Sequence, residues 1–258
     1  VIEEYVTDEE YETYFESLNG LRSEVARALP ITPRMNVLDL ATGYGYFAIE
    51  VAKGYPDLRI TGIDVAWTDI EHSRKNHKKH DVEDRVSVLQ TDATRMSFPS
   101  GSFDIVVNFL GLEDIHMTRG REGVEHTFLE VNRVLRPGGR FCLVLMPPEE
   151  METEAQRLEV ELYSFICDAT WLSYAEYRKM LSAAGFTVLG TGTHYTAKKL
   201  RPEHAEFEIR YACGNVSRIY GRSARPFEEV WARFGSRIRR HGLGHISKIM
   251  QVIAQKYR

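Results

Sequence analysis

Apolar residues along this chain fall into short runs that alternate with stretches of helical period. The runs at 35–40, 59–64, 86–90, 103–109 and 139–145 read as strands, bounded by glycine, proline, aspartate and serine. Between them, amphipathic patterns predict helices over 47–53, 68–79 and 123–134. Further on, 174–184 reads as a helix stopped by Gly185, 187–191 as a sixth strand, and the apolar, β-branched stretch 246–255 as a last one. Strand and helix in regular alternation imply an α/β protein, a doubly wound parallel sheet with helices on both faces.

Two segments depart from this rhythm. Residues 1–30 are polar and helix-prone, and Tyr5, Tyr11, Tyr14, Phe15 and Leu18 fall at spacings compatible with one helical face. Residues 196–244 lie between the last two expected strands, where a hairpin would suffice, and carry helical patterns at 202–211 and 226–241 behind Pro202 and Pro226. The expected organisation is one domain: a helical cap over 1–34, a core over 35–146, a helix and strand over 147–195, an inserted helical lid over 196–244, and the last strand over 245–258.

The densest information lies in Val37-Leu38-Asp39-Leu40-Ala41-Thr42-Gly43-Tyr44-Gly45-Tyr46-Phe47-Ala48. An apolar strand runs into an acid, then into a loop of small residues, then into a helix. Small residues at Ala41, Gly43 and Gly45 are expected to let the backbone pass close beneath a ligand. As a bare motif, Gly43-x-Gly45-x-x-Ala48 also satisfies the dinucleotide fingerprint, with Asp64 at about the distance expected for a ribose contact. Asp39 argues otherwise, because a carboxylate just before the glycines opposes a diphosphate and suits a cationic ligand.

These residues resemble the first motif of class I S-adenosylmethionine-dependent methyltransferases, an acid followed by a small-x-Gly-x-Gly loop, with Ala41 replacing the first glycine. Two further stretches extend the resemblance. Phe98-Pro99-Ser100-Gly101-Ser102-Phe103-Asp104 is similar to the turn before the fourth strand of that family, and Glu130-Val131-Asn132-Arg133-Val134-Leu135-Arg136-Pro137-Gly138-Gly139 to its E-x-x-R-V-L-K/R-P-G-G signature. The similarity covers about residues 35–146 and argues against a dehydrogenase. It implies a Rossmann-like sheet of seven strands, the last antiparallel, and S-adenosyl-L-methionine as cofactor.

The resemblance places the cofactor-binding residues at strand ends: Asp39, Ala41, Thr42, Gly43 and Gly45 after the first strand, Asp64 and Val65 after the second, Asp92 and Ala93 after the third, and Asn108 at the end of the fourth. Asp64 is expected to take the ribose hydroxyls, Asp92 the adenine amino group, and Asn108 to lie near the methionine portion. Tyr11 and Tyr14 are expected to close over the cofactor from the cap. For the acceptor side, Glu113, Asp114 and His116 follow the fourth strand and are the candidate catalytic residues, since a histidine beside acids can serve as a general base. His194, His241 and His245 offer further imidazoles without a motif to choose among them. No metal is expected, because the histidines and acids show no ligand spacing.

Composition narrows the partners. With 43% hydrophobic and 27% charged residues, the 258-residue chain reads as an ordinary globular protein, and its net charge of −4 is not that of a nucleic-acid coat. Three widely spaced cysteines, no run long enough to span a membrane and no signal-peptide pattern lead to a cytoplasmic expectation. The expected function is methyl transfer to a small-molecule acceptor. Methylation of a protein side chain or an RNA, and cofactor binding without catalysis, are the alternatives. The arginines Arg218, Arg222, Arg225 and Arg237 in the insert suggest an acceptor that carries an acidic group. The acceptor atom and the oligomeric state are not encoded in any motif.

Overall fold

The computed structural model describes residues 1–257. In chain order the elements are β1 (Glu4–Tyr5), α1 (Asp8–Glu12), α2 (Tyr14–Ser17), α3 (Asn19–Arg27), β2 (Asn36–Leu40), α4 (Tyr46–Gly54), β3 (Arg59–Asp64), α5 (Trp67–Lys79), β4 (Val86–Gln90), β5 (Phe103–Phe109), α6 (Leu112–Val134) and β6 (Leu135–Leu145). They continue as α7 (Glu154–Ile166), α8 (Tyr174–Ala183), β7 (Phe186–Tyr195), β8 (Lys198–Leu200), α9 (Pro202–Tyr220), α10 (Phe227–His241), β9 (Leu243–Gly244) and β10 (Lys248–Lys256). The chain divides into two compact units. A first unit comprises 15–145, 175–192 and the stretch from 251 on; a second comprises 1–14, 146–174 and 193–250.

The seven-stranded sheet has the order β4-β3-β2-β5-β6-β10-β7. The pairs β2·β3, β2·β5, β3·β4 and β5·β6 are parallel. Successive residues Val37, Leu38, Asp39 and Leu40 of β2 are all buried, as are Ile105, Val106, Val107 and Asn108 of β5. Burial of neighbours in sequence means that both faces of these strands are covered, and it explains their continuous apolar runs. From β2 the chain builds outward through β3 and β4, then returns to place β5 on the other side of β2. The strand order therefore reverses between β2 and β5, which is where open parallel sheets bind ligands. At the far end of β10, Gln255 donates to Gly138 O, Lys256 to Leu135 O, and the Tyr257 N–H to Gly185 O. The carboxyl end of β10 thus lies beside the starts of β6 and β7, so it runs against both, as the resemblance implies.

Most expected core elements are present, with differences that have local causes. The helix expected over 123–134 extends back to Leu112, with a break at Gly120 (φ 69°, ψ −171°). Only glycine adopts that backbone without large strain, so α6 is two helical segments joined at an elbow. Its first segment is largely polar, which hid its period. Strand β6 begins at Leu135 because Phe103 pairs with Leu135 and Ile105 with Arg140, leaving Pro137-Gly138-Gly139 as a bulge rather than a preceding turn.

In the second unit, β1, β8 and β9 form a small sheet, β1 parallel and β9 antiparallel to β8. Two-residue strands carry no readable alternation, and the sequence reading did not foresee this sheet. The stretch read as one polar helical segment over 1–30 is instead β1 and three helices. Helix α7 was also missed, although its signal is present: the Thr153 hydroxyl accepts from Gln156 N at 3.2 Å, and Gln156 reaches back to the Thr153 N–H, a capping box. Helix α9 runs nine residues beyond the stretch expected at 202–211, to a left-handed cap at Gly221 (φ 64°). Among the described residues no helix is long and apolar enough to cross a membrane, and no group of histidine, cysteine, aspartate or glutamate side chains is arranged to hold a metal ion.

Candidate cofactor site

The site grows from the end of β2. Asp39 is 1% exposed, and the Thr42 hydroxyl donates to its Oδ2 at 2.5 Å. Burial pushes the Asp39 carboxyl up to about 7. The Thr42 hydroxyl opposes that rise, the nearby Asp64 carboxylate adds to it, and the Ala48 N–H and the Arg22 guanidinium hold it back. A buried acid in this state would be stabilised as a carboxylate by a cation delivered to it. Arg22, on α3, is itself buried, lies over the rings of Tyr46 (5.2 Å) and Phe109 (5.6 Å), and donates to Phe15 O and to Asn19 Oδ1 at 2.9 Å. No motif surrounds Arg22, and it was not singled out in the sequence.

The loop that follows is fixed from both sides. The Thr42 N–H bonds Ile63 O at 2.9 Å, and Ala41 and Gly43 take left-handed φ values of 54° and 51°. Around Gly43 there is open space, in keeping with close approach of a ligand. Gly45 is enclosed instead. With φ at 78°, its missing Cβ would lie 2.3 Å from Ser73 Oγ and 2.5 Å from His77 Nε2, both on α5. The packing of loop against helix by itself demands glycine here. Tyr44, between these two glycines, is flanked by the rings of Phe15 (4.9 Å) and His72 (4.7 Å, stacked).

The other strand ends carry the expected acids in specific company. At the end of β3, Asp64 accepts from the Gly43 N–H and the Ala66 N–H, each at 3.0 Å, so its carboxylate lies against the β2 loop. Val65, next to it, is exposed. Asp92, after β4, accepts from the Thr94 N–H (2.9 Å), the Thr94 hydroxyl (2.7 Å) and Arg119 (3.1 Å). Partial burial pushes its carboxyl up, but the two Thr94 bonds and Arg119 outweigh that and hold it below the usual range. Arg119 stands immediately before the Gly120 break in α6 and was not expected here. Ala93 is buried beside it. Asn108 is fully buried. Its amide donates to Leu40 O at 2.7 Å and accepts from the Gly111 N–H at 3.3 Å, pinning the end of β2 to the loop after β5.

The remaining candidates are distributed between the units. Glu113, Asp114 and His116 stand on the first turns of α6, directly after β5, and Asp114 is exposed. Burial first, and then the Glu113 charge, keep the Tyr177 hydroxyl well above its ordinary range. Tyr11 and Tyr14 belong to the second unit. There Tyr11 donates to Glu208 at 2.9 Å and stacks on His204, while Tyr14 meets His245 edge-on at 4.7 Å. The insert arginines are largely committed. Arg225 pairs with Asp168 (2.5 Å) and Glu229 (3.3 Å), Arg237 with Glu154 (2.6 Å) and Glu161 (2.7 Å), and Arg218 bonds Asn215.

A mostly parallel open sheet with acids at three successive strand ends beside its reversal point belongs to the doubly wound class, in which ligands bind at the carboxyl ends of the strands. Comparison with known proteins takes this further. The profile of a methyltransferase domain matches residues 37–139. The 27-O-demethylrifamycin SV methyltransferase of Amycolatopsis mediterranei (strain S699) is 29% identical over 93% of this chain and 85% of its own length. A demethylmenaquinone methyltransferase of Deinococcus radiodurans is 35% identical, but over 49% of this chain and 49% of its own length, so the chain spans about half of that relative. Among solved structures, the [4+2]-cyclase SpnF matches with a TM-score of 0.64 at 19% identity, covering 94% of this chain and 82% of that one, a likeness of fold alone. These findings support a class I S-adenosylmethionine-dependent methyltransferase that uses S-adenosylmethionine as its cofactor.

Proposed function

We propose that the protein methylates a small-molecule acceptor and holds its cofactor at the ends of β2, β3 and β4. The observation that carries this reading is Asp39, a buried acid that lacks a full counter-charge beside an open glycine loop. The ammonium of the cofactor's methionine portion is the kind of cation that completes it. Asp64 retains lone pairs for the ribose hydroxyls while its bonds to Gly43 and Ala66 hold it in place. Asp92 and the Ala93 N–H are suited to the adenine edge, Val65 to its face, and Ala41, Thr42, Gly43 and Gly45 shape the loop beneath. Asn108 acts by fixing the backbone near the methionine portion.

When bound, S-adenosylmethionine supplies a methyl group already activated on a sulfonium. What the protein adds is alignment of the acceptor, exclusion of water and, for a protic acceptor, a place for the proton. Glu113, Asp114 and His116 are the acceptor-side groups that the first unit offers. A small-molecule acceptor is favoured because a relative that matches across most of both chains bears the name of one.

The test is transfer of label from methyl-labelled S-adenosylmethionine in a cell extract. Label is expected in low-mass product that resists protease and nuclease, and it should be lost with Asp64→Ala. Label recovered in protein or RNA would overturn the small-molecule reading.

A further inference from the structure

Strand β7 ends the seven-stranded sheet, with β10 on one side and, among the described residues, no strand on the other. Successive residues Leu189, Gly190, Thr191 and Gly192 are all exposed. Exposure of neighbours in sequence means that both faces of this stretch are open as well as its edge, the reverse of β2. Thr187, Leu189 and Thr191 share one face, and on the other Gly190 and Gly192 offer bare backbone. An open edge is a row of N–H and C=O groups ready to pair with another strand, and proteins commonly blunt it with charge, proline or brevity. Here none of these is used. From Met180 to Ala197 there is no aspartate, glutamate, lysine, arginine or proline, in a chain that is 27% charged, and the strand is 10 residues long. The opposite edge strand, β4, has only 5 residues and follows directly on Glu83, Asp84 and Arg85.

More uncovered apolar surface lies beside the start of this strand. The Tyr257 N–H and the Asn132 amide both donate to Gly185 O, at 3.0 and 3.3 Å, which places them at the turn into β7. Tyr257 is 53% exposed, and so is Leu129, one turn before Asn132 on α6; Leu189 is 52% exposed. Leu129 also lines, with Met180 and Ala183, a groove of about 830 Å³ between α6 and α8. Its rim carries two positive and two negative side chains, Arg121 and Lys179 with Glu125 and Glu176, and Arg121 bonds both glutamates at 3.2 and 2.7 Å.

We infer that β7 is the surface through which the protein pairs with a second copy of itself, the two edge strands running antiparallel across a twofold axis and joining two sheets into one. A twofold contact sets a patch against the same patch, so the patch must complement itself. A charge on the strand would meet its own like across the axis, which is destabilising. The exposed stretch of β7 has no charge to meet, and the groove rim beside it is balanced in sign. A nucleic acid or an anionic lipid surface would find no excess of positive charge here to match. Antiparallel pairing satisfies the open N–H and C=O groups and covers Leu189, while Leu129 and Tyr257 widen the contact. The inference goes beyond the acceptor and does not depend on its identity.

Sedimentation of the full chain at micromolar concentration tests this. The parent should sediment at twice the mass of one chain. Leu189→Lys and Leu189→Glu should each sediment as single chains, because each sets like charges against one another across the axis, and an equimolar mixture of the two should recover the double mass. Leu189 is exposed, so both variants should keep their circular dichroism and their binding of S-adenosylhomocysteine. Amide hydrogen exchange over 187–192 should be at least about tenfold slower in the parent than in either variant. A parent that sediments as a single chain, variants that stay paired, or equal exchange over 187–192 in parent and variants would overturn the inference.

Discussion

At the scale of single residues, the loop after β2 makes two demands that a motif does not distinguish. Gly43 has room around it, whereas Gly45 is held by α5. Gly45→Ala should therefore destabilise the folded protein by about 2–4 kcal/mol through left-handed strain and the clash with Ser73 and His77, read from the urea midpoint. The loss should occur with or without cofactor. Asp39 makes a different prediction. Its folded carboxyl is raised from 3.8 to about 7, mainly by burial, so between those values the folded state binds a proton that the unfolded chain has released. The stability it contributes is full below about pH 4 and is lost as pH rises through 7. Asp39→Asn should thus be more stable than the parent at pH 8, with a flatter pH dependence of unfolding, and should bind the cofactor poorly. A variant less stable than the parent at pH 8 would contradict the burial argument.

At the scale of elements, legibility followed the length and regularity of the apolar pattern. Strands β2 to β5 and helices α4 and α5 were readable within a residue or two, because each buries a continuous face or a clear helical stripe. The first half of α6, the two-residue strands β1 and β9, and the true length of α9 were not, since polar composition or brevity leaves no period to detect. Helix α7 lay between these extremes, announced by its capping box alone. Thr153→Ala should cost about 1 kcal/mol of stability, measured by thermal unfolding, because it frees the Gln156 N–H at the helix start. The elbow in α6 gives a stronger expectation. Gly120→Ala has no comfortable backbone at φ 69° and ψ −171°, and should cost about 1–3 kcal/mol and disturb the bond from Arg119 to Asp92.

For the whole molecule, the sequence carried the sheet and its strand-end acids further than it carried the acceptor side. The strand-end positions of Asp39, Asp64 and Asp92 were readable because each acid closes or follows a short apolar run. The contacts of Arg22 and Arg119 were not, because they join elements distant in sequence. The division into two units was likewise invisible, since the second unit is assembled from three separated stretches of chain. In the proposed reading, the carboxyl ends of β2, β3 and β4 hold S-adenosylmethionine with Asp39 against its ammonium. Calorimetric titration of S-adenosylhomocysteine at pH 7, in buffers of different ionisation enthalpy, tests it most directly. Expected are one site per chain, no heat with NAD, and release of a fraction of a proton as the bound ammonium drives Asp39 to its charged form. That release should be absent, and the affinity much reduced, in Asp39→Asn. Undiminished binding by Asp39→Asn with the same proton release would rule out Asp39 as the partner of the ammonium.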